Sequence, residues 1–254
     1  MTIIDTHAHI DELEDLSGAL ERAFQAGVSD IVAVSVNLDS MKKLLDIAAR
    51  HQQPKIHPAL GIHPGMVKEP TQTEALDFMR ANIKSAAAVG ETGLDYWYKW
   101  VRKDEVERGK QKESFAFHLE LARETALPIV IHSRGAWRDC LSMTVASGVK
   151  RALFHWYSGP VDILAEIIAA GFYVSTGPSV AYSPESRRAM TEAPLERIVV
   201  ETDTPVNYRD GEQGFSAEPK DVTRAWKALA QLKNLDEQKT LETLNANART
   251  FFGI

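Results

Sequence analysis

Eight short apolar runs, spread along the chain and separated by stretches of helical periodicity, constrain this sequence most. They read IID (3–5), IVAVS (31–35), KIHPAL (55–60), AAAVG (86–90), PIVIH (128–132), RALFH (151–155), FYVST (172–176) and RIVVE (197–201). Runs so nearly continuous in apolar residues suit strands buried on both faces of a parallel sheet. Parallel neighbours need long crossovers, and the intervening sequence supplies them. In LSGALERAFQAG, Leu16, Leu20, Ala23 and Phe24 mark one helical face and Gly27 gives the stop. SMKKLLDIAARH, QKESFAFHLELARETA, VDILAEIIAAG, PKDVTRAWKALAQL and DEQKTLETLNANARTFFG read the same way. No Pro/Gly/Ser-rich linker divides the chain. The expectation is α/β: one (β/α)₈ TIM barrel spanning residues 1–254.

Composition narrows the function classes. A net charge of −6 argues against a broad basic surface that coats nucleic acid, while leaving room for a local positive site. Cys140 is the single cysteine, so no internal disulfide forms and a reducing, cytoplasmic compartment suits the chain. The N-terminal sequence shows no basic n-region followed by an apolar h-region, so no signal peptide is expected. No apolar run reaches the roughly eighteen residues of a membrane span. Neither a membrane anchor nor an obligate protein partner is evident.

In a (β/α)₈ barrel the chemistry sits at the C-terminal ends of the strands. The first strand runs into DTHAHI, where His7 and His9 stand two residues apart and so share a face, with Cα atoms about 6.6 Å apart at about 3.3 Å rise per residue. Alone, this pair reads equally as a metal site or as two hydrogen-bonded histidines. The other strand ends decide between them. Glu91 follows the fourth strand, His132 the fifth, His155 the sixth, and Asp203 lies just past the eighth. Four imidazoles and two carboxylates at one mouth point to a metal centre. Six protein donors exceed what one catalytic cation with an open position takes, so two divalent ions are expected, with Glu91 placed to bridge them. Mixed nitrogen and oxygen donors suit zinc or manganese, whereas magnesium prefers oxygen. Asp5 reads either as a partner that orients a histidine or as a helix cap.

THAHID, ALGIHPG, AVGETGLDY, IVIHSR, LFHWYSG and VVETDTP resemble, in order and spacing, the signatures of the TatD family of metal-dependent deoxyribonucleases, and NANARTFFGI resembles its C-terminal helix. The resemblance covers essentially the whole chain. It implies a TIM barrel of the amidohydrolase superfamily, divalent metals and phosphodiester hydrolysis, with His7, His9, Glu91, His132, His155 and Asp203 as ligands. Two departures from the family pattern, HWYSG for HCFSG and ETDTP for ETDAP, touch no ligand.

On this reading Asp203 and Glu91 are the catalytic carboxylates, with Asp203 holding the attacking water and accepting its proton. Arg134 offers a planar fork to a phosphate oxygen or else forms a structural salt bridge. His63 in GIHP contacts phosphate or a leaving group, or stabilises a turn. The segment YWYKWVRKDEVERGK (96–110) interleaves Tyr96, Trp97, Tyr98 and Trp100 with Lys99, Arg102 and Lys103, which reads either as a stacking platform for single-stranded nucleic acid or as rim packing. Tyr157 faces the same choice. His57, His51, His118 and Cys140 read as structural. The partner expected is DNA or a small phosphodiester, attacked from a strand end. The rival readings are a superfamily enzyme cleaving a small amide, lactone or ester, and a metal-containing binding protein without turnover.

Overall fold

The computed structural model describes residues 2–68, 72–211 and 213–254. Eight parallel strands, β1 (Ile3–Ala8), β2 (Val28–Val34), β3 (Lys55–Leu60), β4 (Ala88–Gly93), β5 (Ile129–His132), β6 (Ala152–Phe154), β7 (Tyr173–Thr176) and β8 (Ile198–Val200), pair in sequence order. Helices α1 (Leu16–Gln25), α2 (Leu38–Arg50), α3 (Gln72–Asn82), α4 (Glu105–Thr125), α5 (Trp137–Ser147), α6 (Val161–Ala169) and α7 (Pro184–Glu192) each follow the strand of the same number. After β8 come a two-stranded antiparallel hairpin, β9 (Asn207–Asp210) and β10 (Gln213–Ser216), then α8 (Val222–Lys233) and α9 (Glu237–Phe252). This is the (β/α)₈ barrel expected from the eight apolar runs. Among the described residues no helix is long and apolar enough to cross a membrane.

The barrel closes just beyond β8. Asp203 N donates to His7 O at 2.9 Å, and His9 N donates to Thr204 O at 2.9 Å. Asp5, fully buried, sits under this seam and accepts from Thr202 N (3.0 Å) and Thr202 Oγ1 (2.6 Å). It neither orients a histidine ring nor caps a helix. Burial raises its pKa well above the ordinary carboxylate value despite those hydrogen bonds.

Two apolar layers hold the fold. Ile4, Val32, Val34, Ala59, Ala88, Val130, Leu153 and Val199 line the barrel interior, and Ala248, Phe251 and Phe252 at the end of α9 plug its floor. The larger layer lies between strands and helices, where Ile31, Leu60, Val89 and Ile131 meet Leu20, Leu44, Phe115 and Leu229. Strict alternation does not carry these faces up to the mouth. From Asp5 to Ala8, three steps along β1 answer two along β2 (Ile31 to Ala33). From Val89 to Thr92, three steps along β4 likewise answer two along β5 (Ile129 to Ile131). Each is a one-residue bulge, which reverses side-chain parity beyond it. Alternation from Ala88 alone would turn Glu91 outward; the bulge turns it in.

Several elements depart from the sequence reading. Helices α3 and α7 escape it because they bury few large residues: α3 buries Ala75 and Met79, and α7 buries Ser186, Ala189 and Met190. The segment 96–110 is only partly a loop. Asp104 caps α4, its side chain accepting from Val106 N (3.0 Å) and Glu107 N (3.2 Å), so residues 105–110 are helical.

Candidate metal centre

The sequence-derived donors converge on Glu91. This carboxylate is 2% exposed and its two oxygens face different partners. On one side, Oε2 lies 3.4 Å from His7 Nε2 and 3.3 Å from His9 Nε2, and both nitrogens stand 3.3 Å from Asp203 Oδ1. On the other side, Oε1 lies 2.8 Å from His132 Nδ1 and 2.7 Å from His155 Nε2, with those two nitrogens 3.3 Å apart. The seam sets the first group, because Asp203 is hydrogen-bonded through its backbone to the strand that carries His7 and His9. Asp203 takes a left-handed backbone (φ 51°), which aspartate tolerates better than most residues.

The spacing fits a cation. Donors about 2.0–2.1 Å from a tetrahedral zinc stand about 3.3–3.4 Å from one another. His7, His9 and Glu91 with Asp203 reproduce that spacing, whereas the Oε1 side shows direct hydrogen-bond distances. His7 is fully buried, yet neither ring nitrogen has a hydrogen-bond partner among the described residues, and His9 Nδ1 also lacks one. Buried polar atoms without partners are costly, and a cation on Nε2 would compensate such an imidazole.

Electrostatics point the same way. Burial alone would lower the pKa of His9, His132 and His155, but neighbouring carboxylates outweigh it: Asp203 and Glu91 for His9, Asp95 and Glu91 for His132, Glu91 and Glu201 for His155. All three therefore hold protons more tightly than a free imidazole. Conversely, burial would raise Glu91 and Asp203, yet the surrounding imidazoles hold both carboxyls well below their usual range. Closely packed histidine protons facing carboxylates are what a divalent cation displaces on binding.

His63 plays a different part. Burial holds its pKa down to about 3, so the ring is neutral. Its Nδ1 accepts from Gly65 N at 2.9 Å, so the proton sits on Nε2, 3.8 Å from Glu91 Oε1. The Gly65 amide thus makes His63 a donor at the mouth, although its proximity to Glu91 and His132 would also suit a ligand. His118 steadies this strand end: its Nε2 accepts from Ile62 N at 3.0 Å while its Nδ1 donates to Ser114 O at 2.7 Å. His57 pairs with Asp30 at 2.8 Å, and Cys140 is buried in α5.

Two buried carboxylates escaped the sequence reading. Asp95 receives His132 Nε2 at 3.0 Å, and Glu201 lies 3.6 Å from His155 Nδ1. Both fall inside motifs already singled out, GETGLDY and VVETDTP, and their signal was a second acidic residue within a few positions of a ligand. Glu201 also accepts from Trp156 N (2.8 Å) and Ser175 Oγ (2.5 Å). That bonding helps fix Trp156 in a left-handed conformation (φ 41°) rare for a bulky residue.

The expected substrate contacts separate. Arg134 is 46% exposed but forms the salt bridge the sequence left open, to Asp95 Oδ2 through Nε (2.8 Å) and Nη2 (2.7 Å). Trp97 is 62% exposed; its ring rests over Gly135 and meets Trp137 edge-on, with the Arg134 guanidinium 5.9 Å away. Trp100 is half-buried, stacked on Tyr98 under Lys68. Tyr157 lies in the core, its hydroxyl donating to Pro160 O at 2.7 Å, so its ring offers no stacking face.

Comparison with known proteins agrees with this architecture. The deoxyribonuclease TATDN3 of Homo sapiens is 27% identical over 98% of this chain and 94% of its own length. The metal-dependent hydrolase TatD of Mycobacterium tuberculosis is 29% identical over 99% of this chain and 98% of its own. The crystal structure of YJJV, a TatD homologue from Escherichia coli K12, superposes with a TM-score of 0.88 at 27% identity, covering 99% of this chain and 98% of that one. The family model described as TatD related DNase matches residues 4–253. The chain belongs to the TatD-related DNase family.

Proposed function

We propose that this chain is a metal-dependent phosphodiesterase that hydrolyses DNA from strand ends, with two divalent cations held by His7, His9, Glu91, His132, His155 and Asp203. The observation that carries this reading is Glu91, a buried carboxylate whose two oxygens each face a separate set of imidazoles. The family membership and the named deoxyribonuclease relative favour a nucleic-acid phosphodiester over an amide or lactone. Imidazole-rich donors favour zinc or manganese over magnesium.

Bound cations would supply a more acidic water and charge neutralisation at the phosphoryl oxygens. The chain does the rest. Asp203, ionised and 10% exposed at the side chain, faces the mouth from the seam and accepts the proton of the attacking water. The Nε2–H of His63 donates to a phosphate or leaving-group oxygen. Arg134 keeps an exposed edge for a non-scissile phosphate while Asp95 fixes its plane. Trp97 offers an exposed ring for a terminal base, while Trp100 stacks on Tyr98 within the same loop.

The test is a divalent-metal-supplemented assay on end-labelled single-stranded DNA, beside a small chromogenic phosphodiester and a panel of amides. The expected result is metal-dependent shortening of the DNA from one end, abolished by a chelator. A fully metal-loaded chain that leaves both phosphodiesters intact while cleaving an amide would overturn the reading.

A further inference from the structure

His132 sits between two acceptors. Its Nδ1 faces Glu91 Oε1 at 2.8 Å and its Nε2 faces Asp95 Oδ2 at 3.0 Å. A neutral imidazole has one N–H, so it satisfies one of these carboxylates and presents a lone pair to the other. Which nitrogen keeps the proton decides whether the lone pair points into the cluster or away from it.

Asp95 is built to win that proton. It is fully buried, and its Oδ2 is already gripped by Arg134 through Nε and Nη2 at 2.8 and 2.7 Å. Its Oδ1 accepts from Trp97 N at 2.9 Å. Gln111 of α4 holds its backbone from behind, Oε1 accepting from Asp95 N at 3.0 Å. Three donors thus fix one carboxylate in place, independently of His132. Glu91, by contrast, shares its Oε1 between His132 and His155.

We propose that Asp95 is a positioning residue: anchored by Arg134 and the Trp97 amide, it holds the Nε2–H of His132 so that the Nδ1 lone pair faces Glu91. The proposal rests on reading the cluster as a cation site, since a lone pair aimed at Glu91 is useful only when a cation lies between them. A hydrogen bond of this kind fixes the ring orientation and raises the basicity of the ligating nitrogen. It also ties two loops, the one after β4 that carries Trp97 and the one after β5 that carries Arg134, to one ligand of the centre through a single buried side chain.

Asp95→Asn and Asp95→Ala test it with two readouts. Zinc titration of the full chain should show two binding events in the wild type. Asp95→Asn keeps an acceptor for Nε2–H but loses the charge, and should weaken one event about 10–100-fold while sparing the other. Long-range ¹⁵N–¹H spectra of the metal-free chain at pH 9 should place the neutral His132 proton on Nε2 in the wild type, and on Nδ1 in Asp95→Ala. If the alanine variant does not fold, the asparagine variant carries the test alone. Unchanged zinc affinity in folded Asp95→Asn overturns the proposal. So does equal weakening of both events together with a lower melting temperature, which marks a merely structural role. A wild type that takes up no zinc refutes the cation reading instead; the proton on Nδ1 in that same wild type then refutes the role given to Asp95.

Discussion

On the Oε2 side of Glu91, His7, His9 and Asp203 stand 3.3–3.4 Å from their neighbours, and His7 Nδ1 and His9 Nδ1 make no hydrogen bond among the described residues. On the Oε1 side, His132 and His155 close to 2.7–2.8 Å; Asp95 backs His132 at 3.0 Å, while Glu201 stands 3.6 Å behind His155, whose Nδ1 also makes no hydrogen bond among the described residues. The first side is positioned by the backbone of the barrel seam and leaves a gap of ionic size. The second is positioned by side chains and filled by protons. One carboxylate thus joins a site already spaced for a cation to a site whose donors must move apart to receive one. A shared donor set does not make the two halves equivalent.

The largest break in this comparison is Glu91→Gln, which removes the charge common to both halves. Hydrolysis should fall below the residual rate of any single-sided variant, and zinc content should drop on both sides, measured by elemental analysis of folded protein. Next is Asp203→Asn, nearly isosteric and confined to the Oε2 side. It should lose on the order of 10²-fold or more in turnover, as expected of a general base. Wild-type turnover in a folded, metal-loaded Asp203→Asn chain rules out that role.

Protons bear on both sides. His132 and His155 on the Oε1 side and His9 on the Oε2 side all hold protons more tightly than a free imidazole. Zinc binding should therefore release protons, read by calorimetry in buffers of different ionisation enthalpy. Stability should follow with opposite signs. Histidines whose folded pKa is raised stabilise the metal-free fold below the unfolded value and lose that contribution as pH rises through the folded one. Between pH 7 and 9 the depressed rings of His63 and His118 add only a small term of opposite sign, as the unfolded imidazoles lose their last protons. The metal-free melting temperature should fall over that window while the increment from added zinc grows. A constant increment argues that no protons are displaced.

The smallest effect lies outside the centre. Trp97→Ala should weaken single-stranded DNA by about 1–3 kcal/mol, about 5–150-fold and mainly in KM, while sparing a small chromogenic phosphodiester. Trp100→Ala, at a packed ring, should lower the melting temperature more than Trp97→Ala does. If the two variants behave alike on both substrates, the loop is packing.

What the sequence shows follows from what each signal depends on. Strand-end histidines are legible because apolar runs mark where strands stop, and His132 and His155 close such runs directly. Glu91 is legible by position but not by direction, since its inward aim depends on a bulge whose sequence sign is the strand glycine Gly90 (φ 146°), which the apolar pattern does not weigh. Asp95 and Glu201 are hidden because a backing carboxylate is recognised only once the ring it touches is placed. Tyr157 sits beside a ligand in sequence, yet the chain turns sharply at Trp156 and sends it into the core. The helical start at Glu105 was available in principle, since Asp104 and Glu107 have the spacing of a cap and its first turn.

The seam has a consequence for how the molecule opens. His7 and Asp203 lie at the two ends of the barrel strands, and the bonds joining them close all eight strands into one loop. A cation shared by their side chains would act as a clip across that loop, and clips across long loops restrict the unfolded chain most. Amide exchange at His9 and Asp203 would then report barrel opening and metal loss as one event. Those two amides should slow together on adding zinc, and strands far from the seam should gain less protection.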